Sequence, residues 1–269
     1  MPQNRFLNRI AMQILRSLYL TSLFLALLTQ SGQAAVIRTA VIRVLSPGVV
    51  YNAGLLDLAA SFTRKTGVKV YVLPDLMGRI VGDIKTRTPP PDVIFLPMEL
   101  MSSLALDKEI VPGTFTPLGR VEIGLAVKTG APHPDISTVD KLVAALKSAR
   151  QVMVSDPAGG MSLEAGMIDG LLKRPEFAGI HAVVSTDGEG GQALARGEGD
   201  MALQLVCEIY PHPQISLVGA LPPELGAHID NAAAVAAHAP DMKDAREFIR
   251  YITRPEAASV WKAKGLNRY

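Results

Sequence analysis

Residues 41–72 read VIRVLSPGVVYNAGLLDLAASFTRKTGVKVYV. The apolar run Val41-Ile42-Arg43-Val44-Leu45 stops at Ser46-Pro47-Gly48. A helical pattern then occupies about 50–65, with Leu55, Leu56, Leu58, Ala59 and Phe62 assigned to one face. Thr66-Gly67 ends it, and Val68-Lys69-Val70-Tyr71-Val72 is a second strand. Strand, helix and strand in this order make a β-α-β unit, so the two strands run parallel. In open parallel sheets ligands bind beyond the carboxyl ends of the strands, where helices begin. Ser46-Pro47-Gly48 is then either an anion-receiving loop with free backbone N–H groups or a plain tight turn.

The head of the chain has a different character. Arg5, Arg9 and Arg16 precede the apolar stretch SLYLTSLFLALL at 17–28, and Gly32 and Ala34 stand before a cleavage point. That order of charge, apolar core and small residues is a secretory signal peptide, placed at 1–34. An apolar core of about 12 residues is short for a permanent span. The whole chain holds 27 basic and 25 acidic residues. Removing the three leader arginines leaves 24 basic against 25 acidic, so the remaining chain is almost neutral. Such a balance gives no electrostatic case for nucleic acid or for an anionic membrane surface. The one cysteine, Cys207, lies in Leu205-Val206-Cys207 and reads as a buried thiol. No cofactor is expected, and no metal site, since His133, His181, His212, His228 and His238 are scattered without ligand spacing.

The rest continues the β-α-β alternation, which places the chain in the α/β class. Expected strands lie at 92–96, 121–127, 152–154, 181–184, 201–205, 215–218 and 232–237, with 111–120 irregular. Ser137 is the expected N-cap of the helix that follows, and Thr253-Arg254-Pro255-Glu256 an expected capping box between the last two helices. Two further loops bear on a ligand. Ser155-Asp156-Pro157-Ala158-Gly159-Gly160-Met161-Ser162 joins a strand to a helix and is rich in glycine, without matching a nucleotide fingerprint. Asp187-Gly188-Glu189-Gly190-Gly191-Gln192 either lines the same cleft or is a surface loop, and the surface loop is favoured.

A family resemblance rests on Ile42-Arg43-Val44-Leu45-Ser46, Phe62-Thr63-Arg64-Lys65-Thr66-Gly67-Val68, Pro91-Asp92-Val93-Ile94-Phe95 and Gly124-Leu125-Ala126-Val127. It is extended by Ala195-Arg196-Gly197-Glu198-Gly199-Asp200, Leu221-Pro222-Pro223-Glu224-Leu225 and the closing run from Phe248 through Trp261 to Gly265. Over about 38–266 the chain resembles the molybdate-type periplasmic solute-binding proteins of ABC importers. The resemblance implies a type 2 periplasmic-binding fold: two α/β lobes, each a mostly parallel sheet flanked by helices, joined by two crossover strands. The expected division is 35–118 plus 226–269 for lobe 1 and 119–225 for lobe 2. It further implies a periplasmic monomer that closes on a small anion and delivers it to an ABC permease.

The ligand contacts expected on this basis are Ser46, Gly48, Val49, Met77, Gly78, Arg79, Met98, Asp156, Gly159, Gly160, Met161, Ser162 and Gln204. Binders of molybdate use hydroxyls here, whereas this chain has Val49 in the first loop, Leu76-Met77-Gly78-Arg79 in the second and no tyrosine beside Gln204-Leu205. Arg79 offers a planar fork suited to a carboxylate, so an organic polycarboxylate is expected rather than molybdate. The stretch from Gly124 to Ser137 and the Leu45-Ser46-Pro47-Gly48 loop are similar to the aconitate isomerase branch of the same fold. That similarity implies an alternative, an isomerase of small polycarboxylates. Ser46 would then be a hydrogen-bond donor, Asp156 or Glu99 the base and Arg79 the clamp.

Overall fold

The computed structural model describes residues 41–158 and 162–269. The signal peptide expected at 1–34 and the Gly159-Gly160-Met161 part of the glycine loop lie outside the described residues. Strand β1 is Val41–Ser46. Helix α1 follows in three consecutive stretches, Gly48–Val50, a π turn at Tyr51–Leu55 and Leu56–Thr66. Leu55, Leu58, Ala59 and Phe62 are buried, but Leu56 is 43% exposed. At 100° per residue, positions 55, 58, 59 and 62 share a face and 56 does not. Phe62 meets Phe248 edge to face at 5.2 Å, and burying such a ring contributes roughly 1.5–3 kcal/mol. The helix stops where Gly67 turns left-handed at φ 77° and its N–H donates to Thr63 O at 2.9 Å.

The order then runs β2 (Lys69–Pro74), α2 (Met77–Asp83), β3 (Val93–Pro97), α3 (Met98–Leu106) and β4 (Thr116–Lys128). It continues with α4 (Val139–Ser148), β5 (Val152–Val154), α5 (Leu163–Leu172), β6 (Ala182–Val184) and α6 (Gly190–Ala195). It closes with β7 (Met201–Leu205), α7 (Val206–Ile209), β8 (Ile215–Ala220), β9 (His228–Val235), α8 (Met242–Thr253), α9 (Ala258–Ala263) and β10 (Leu266–Asn267).

Two lobes share one spine. The outer strands β2-β1-β3 of the first lobe and β6-β5-β7 of the second are parallel. Antiparallel pairing is built around β9 and β4: β9 joins β3 and β4, and β4 also pairs antiparallel with β7, β8 and β10. The 13-residue β4 belongs to both lobes. Its positions 116–122 pair with β9, and 123–127 pair with β7. The segment 111–120, expected to be irregular, is thus half strand. β9 and β10 supply partners there from the far end of the chain, which local pattern does not register.

Two capping expectations are corrected. The N-cap of α4 is Thr138, whose Oγ1 accepts from Lys141 N at 3.3 Å, while Ser137 sits one residue outside in a turn held by Asp135. The box at 253–256 does not form, because Thr253 Oγ1 donates back to Ile249 O at 2.7 Å.

Candidate binding cleft

A cleft of about 190 Å³ opens between the lobes. The first lobe lines it with Pro47, Gly48, Val49, Asp75, Leu76 and Met77, the second with Ser162, Leu163, Glu164, Glu189, Leu205 and Glu208, and β9 adds Ile229. The two loops of the first lobe are tied together, since Asp75 N donates to Ser46 O at 3.0 Å. Burial pushes the Asp75 carboxyl up, but the Arg87 hydrogen bond, the Leu76 N–H and the charges of Arg87 and Arg79 together leave it below its ordinary value.

The second lobe contributes three buried carboxyl groups. Glu164 stands in the first turn of α5, where Ser162 caps the helix by accepting from Ala165 N at 3.2 Å. Ser162 also donates to Glu164 Oε2 at 3.2 Å. Glu189 caps α6, and its N–H donates to Gln192 Oε1 at 3.2 Å. Glu208 sits on α7, immediately after β7. Gln204, fully buried on β7, holds the group together. Its Nε2 donates to Glu189 Oε2 at 3.0 Å and to Glu208 Oε2 at 2.6 Å. Its Oε1 accepts from Gly191 N at 3.2 Å, which fixes the orientation of the amide. Ser155 Oγ lies 3.3 Å from Gln204 Oε1 and 3.5 Å from Glu164 Oε1, and its one proton serves one of them at a time.

Burial raises all three acids, and repulsion adds to it at Glu164 and Glu208. Burial, then the Glu189 charge, pushes Glu164 up to about 8. Burial raises Glu189, which is hydrogen-bonded to Glu208. Burial and the charges of Glu189 and Glu164 hold Glu208 well above the ordinary carboxylate range. Two hydrogen-bonded carboxyls need a proton between them, so at neutral pH the cleft carries fewer than three negative charges, with an O–H on Glu164. A Cβ built on Gly48 would lie 3.4 Å from Glu208 Oε1, so this acid closes on the glycine backbone of the opposite loop. Beside it, Cys207 Sγ donates to Val49 O at 3.3 Å across the lobes, and burial raises the thiol pKa well above normal.

Of the residues expected from sequence, Gly48, Val49, Met77 and Ser162 line the cleft. Gln204 stands behind the lining, as the link between two acids. Ser46 is buried at the end of β1, its hydroxyl turned to Pro47 O at 3.0 Å. Gly78, Arg79 and Met98 are outside the lining; Arg79 is exposed in the first turn of α2, and its charge reaches Asp75 on the cleft wall. Asp156 is exposed and accepts from Ala158 N at 2.8 Å, and Glu99 is exposed, so neither is placed as a base. Gly159, Gly160 and Met161 lie outside the described residues. The loop 187–192 is not the surface loop favoured from sequence. Its Glu189 enters the lining, while Gly190 and Gly191 are buried against β5 and Gln204. Glu164 and Glu208 carry little local signal of a site, because each is a lone acid in its own segment, and Glu189 lies in the run 187–192. One signal was present in Val206-Cys207-Glu208-Ile209, where an acid interrupts an apolar run.

The sequence profile described as bacterial extracellular solute-binding protein matches residues 42–267, and the chain belongs to that family. Over 232 residues it is 28% identical to the aconitate isomerase of Pseudomonas sp, covering 83% of this chain and 86% of the relative. The periplasmic molybdate-binding protein of Azotobacter vinelandii superposes with a TM-score of 0.66 at 17% identity, covering 84% and 98% of the two chains. Peb3 from Campylobacter jejuni superposes with a TM-score of 0.61 at 20% identity, covering 85% and 100%. These structural likenesses establish the two-lobed fold.

Proposed function

We propose that the chain is an exported solute-binding protein that captures a small organic di- or tricarboxylate between its lobes and presents it to an ABC permease. The observation that supports this is the convergence of both lobes on one cleft, with protonated acids and helix-start backbone facing it. Lobe 1 then comprises 35–118 and 226–269, and lobe 2 comprises 119–225. Molybdate, tungstate and sulfate fit this lining poorly. They are compact anions that gain from a dense ring of hydroxyl and N–H donors, whereas Val49, Leu76 and Met77 offer apolar side chains that can pack on the carbon skeleton of an organic acid.

A thermal-shift screen tests the class. At a hundred-fold excess over Kd a ligand stabilises by about 2.7 kcal/mol, which for a chain of this size is roughly 5–10 °C in Tm. Di- and tricarboxylates should give that shift, and molybdate, tungstate and sulfate much less. A submicromolar molybdate Kd by calorimetry would refute the carboxylate class.

A second reading, an isomerase of small polycarboxylates, is favoured by one observation. Glu164, held at about 8, and the proton-sharing Glu189–Glu208 pair place an acid and a base in the same cleft. An allylic shift would move one C–H proton to a carboxylate while a carboxylic acid returns a proton to the far carbon. Its relative, the Pseudomonas aconitate isomerase, fits that reading. Proton NMR of trans-aconitate incubated with the protein in D2O decides it. Deuterium entry into the ligand together with a second isomer supports the enzyme, and an unchanged spectrum leaves a binding protein.

A further inference from the structure

We propose that a carboxylate ligand binds only the protonated cleft, because Glu164, Glu189 and Glu208 repel it when ionised and Glu164 can hold it only as an O–H donor. This rests on the small-acid reading above and adds what enforces its specificity. Among the described residues that line the cleft there are four acids and no lysine, arginine or histidine. Asp75 is committed to Arg87 on the wall of the first lobe. The remaining three have no cation to neutralise them. Gln204 contributes two N–H groups but no charge, and Gly191 N keeps it from turning round.

Ionised, these carboxylates accept hydrogen bonds and donate none, and a carboxylate ligand does the same. The two would meet as like charges in a partly desolvated space. Protonated, Glu164 can donate one short charge-assisted O–H bond to a ligand oxygen, while the proton shared by Glu189 and Glu208 removes one of their two charges. The balance is simple. A glutamate carboxylate takes one proton from the medium, and the resulting acid donates it in a hydrogen bond to the ligand, with no bond in the ligand broken. The groups acting on Glu208 are Glu189, Glu164 and Gln204, with the Cys207 thiol beside it and the Asp75–Arg87 pair on the opposite wall. Those on Glu164 are Glu189, Ser162 and Ser155.

Isothermal calorimetry of the full mature chain with tricarballylate, citrate and trans-aconitate, from pH 6.5 to 9.5 in buffers of different ionisation heat, tests this. Above pH 8 these ligands are fully ionised, so a change in affinity belongs to the protein. Affinity should be flat below about pH 7.5, with no proton taken up, and fall about tenfold per pH unit above Glu164's value of about 8, where one proton is taken up per ligand. Glu164→Gln, which keeps an N–H donor at every pH, should flatten the decline and outbind the wild type at pH 9.5. If that variant does not fold, the wild-type series alone carries the decision. Tricarboxylate binding with no pH dependence and no proton uptake overturns the inference and leaves the small-acid reading standing. Failure of all three ligands at pH 6.5, or tight binding of spermidine with proton release, overturns both.

Discussion

Raising the pH from 5 to 8 is expected to destabilise the unliganded protein, and Glu164→Gln to remove much of that loss. Folded Glu164 keeps its proton to about pH 8, whereas the unfolded chain releases it near 4.5. Between these values the folded state binds more protons than the unfolded one, so stability falls as pH rises. The slope is about 1.4 kcal/mol per pH unit for one group, and the full window amounts to about 4–5 kcal/mol. Glu189 and Glu208 act in the same direction. The opposing groups are in place by pH 5. The hydrogen bonds of Arg120 to Asp230 and of Arg150 to Asp200 hold those aspartates below their ordinary values, which costs stability only at lower pH. Thermal unfolding at pH 5, 6.5 and 8 should therefore show the highest Tm near pH 5. Glu164→Gln should gain on the order of 10 °C at pH 8 and little at pH 5. A Tm that does not change between pH 5 and 8 would show that the three acids ionise freely, and the protonated cleft would go with it.

The second large effect is steric. Gly190, the first residue of α6, packs on β5 so closely that a Cβ would lie 2.8 Å from Met153 O, 2.8 Å from Val154 Cα and 2.9 Å from Val154 C. All three are backbone atoms of a buried strand, so nothing flexible can give way. Gly190→Ala must displace α6, and with it Glu189 at the helix start and the Gly191 N–H that orients Gln204. Overpacking costs typically 1–3 kcal/mol and more where backbone must move, so a loss of about 3 kcal/mol in chemical denaturation is expected. Binding of the carboxylate should fall at least tenfold. Gly166→Ala, on α5 with open space around it, is the control and should change neither by much. Equal effects from the two substitutions would remove α6 from the construction of the site.

The architecture was readable because it is written in short-range signals. The apolar run at 41–45, the stop at Gly67 and the strand at 69–74 follow from local periodicity and from one left-handed glycine. The long central strand was only half readable, since its first part is a strand by virtue of β9 and β10. The cleft was legible on its loop side, where Gly48, Val49, Met77 and Ser162 sit at strand ends that topology marks in advance. Its chemical side was not. Glu164, Glu189 and Glu208 are 25 and 19 residues apart and meet only through Gln204 and the pairing of β5 with β7. Arg79 misled for the complementary reason. A lone cation at a helix start suggests a clamp, but Arg79 stands outside the lining and its charge acts on Asp75, and only the fold in three dimensions decides that.

Cys207 turns the contact between the lobes into a clock. It is the single thiol in the chain, so one alkylation event gives one mass increment and no ambiguity of site. Its sulfur is fully enclosed and engaged with Val49 O, and a thiolate is disfavoured there, so a maleimide reaches it only when that contact parts. In the limit of fast reclosure the labelling rate equals the intrinsic thiol rate multiplied by the fraction of time spent parted. A ligand that binds only the closed form slows labelling by the factor 1 + [L]/Kd. Quenched aliquots on a mass spectrometer thus give the frequency of lobe separation, and its suppression by any solute, without an engineered probe.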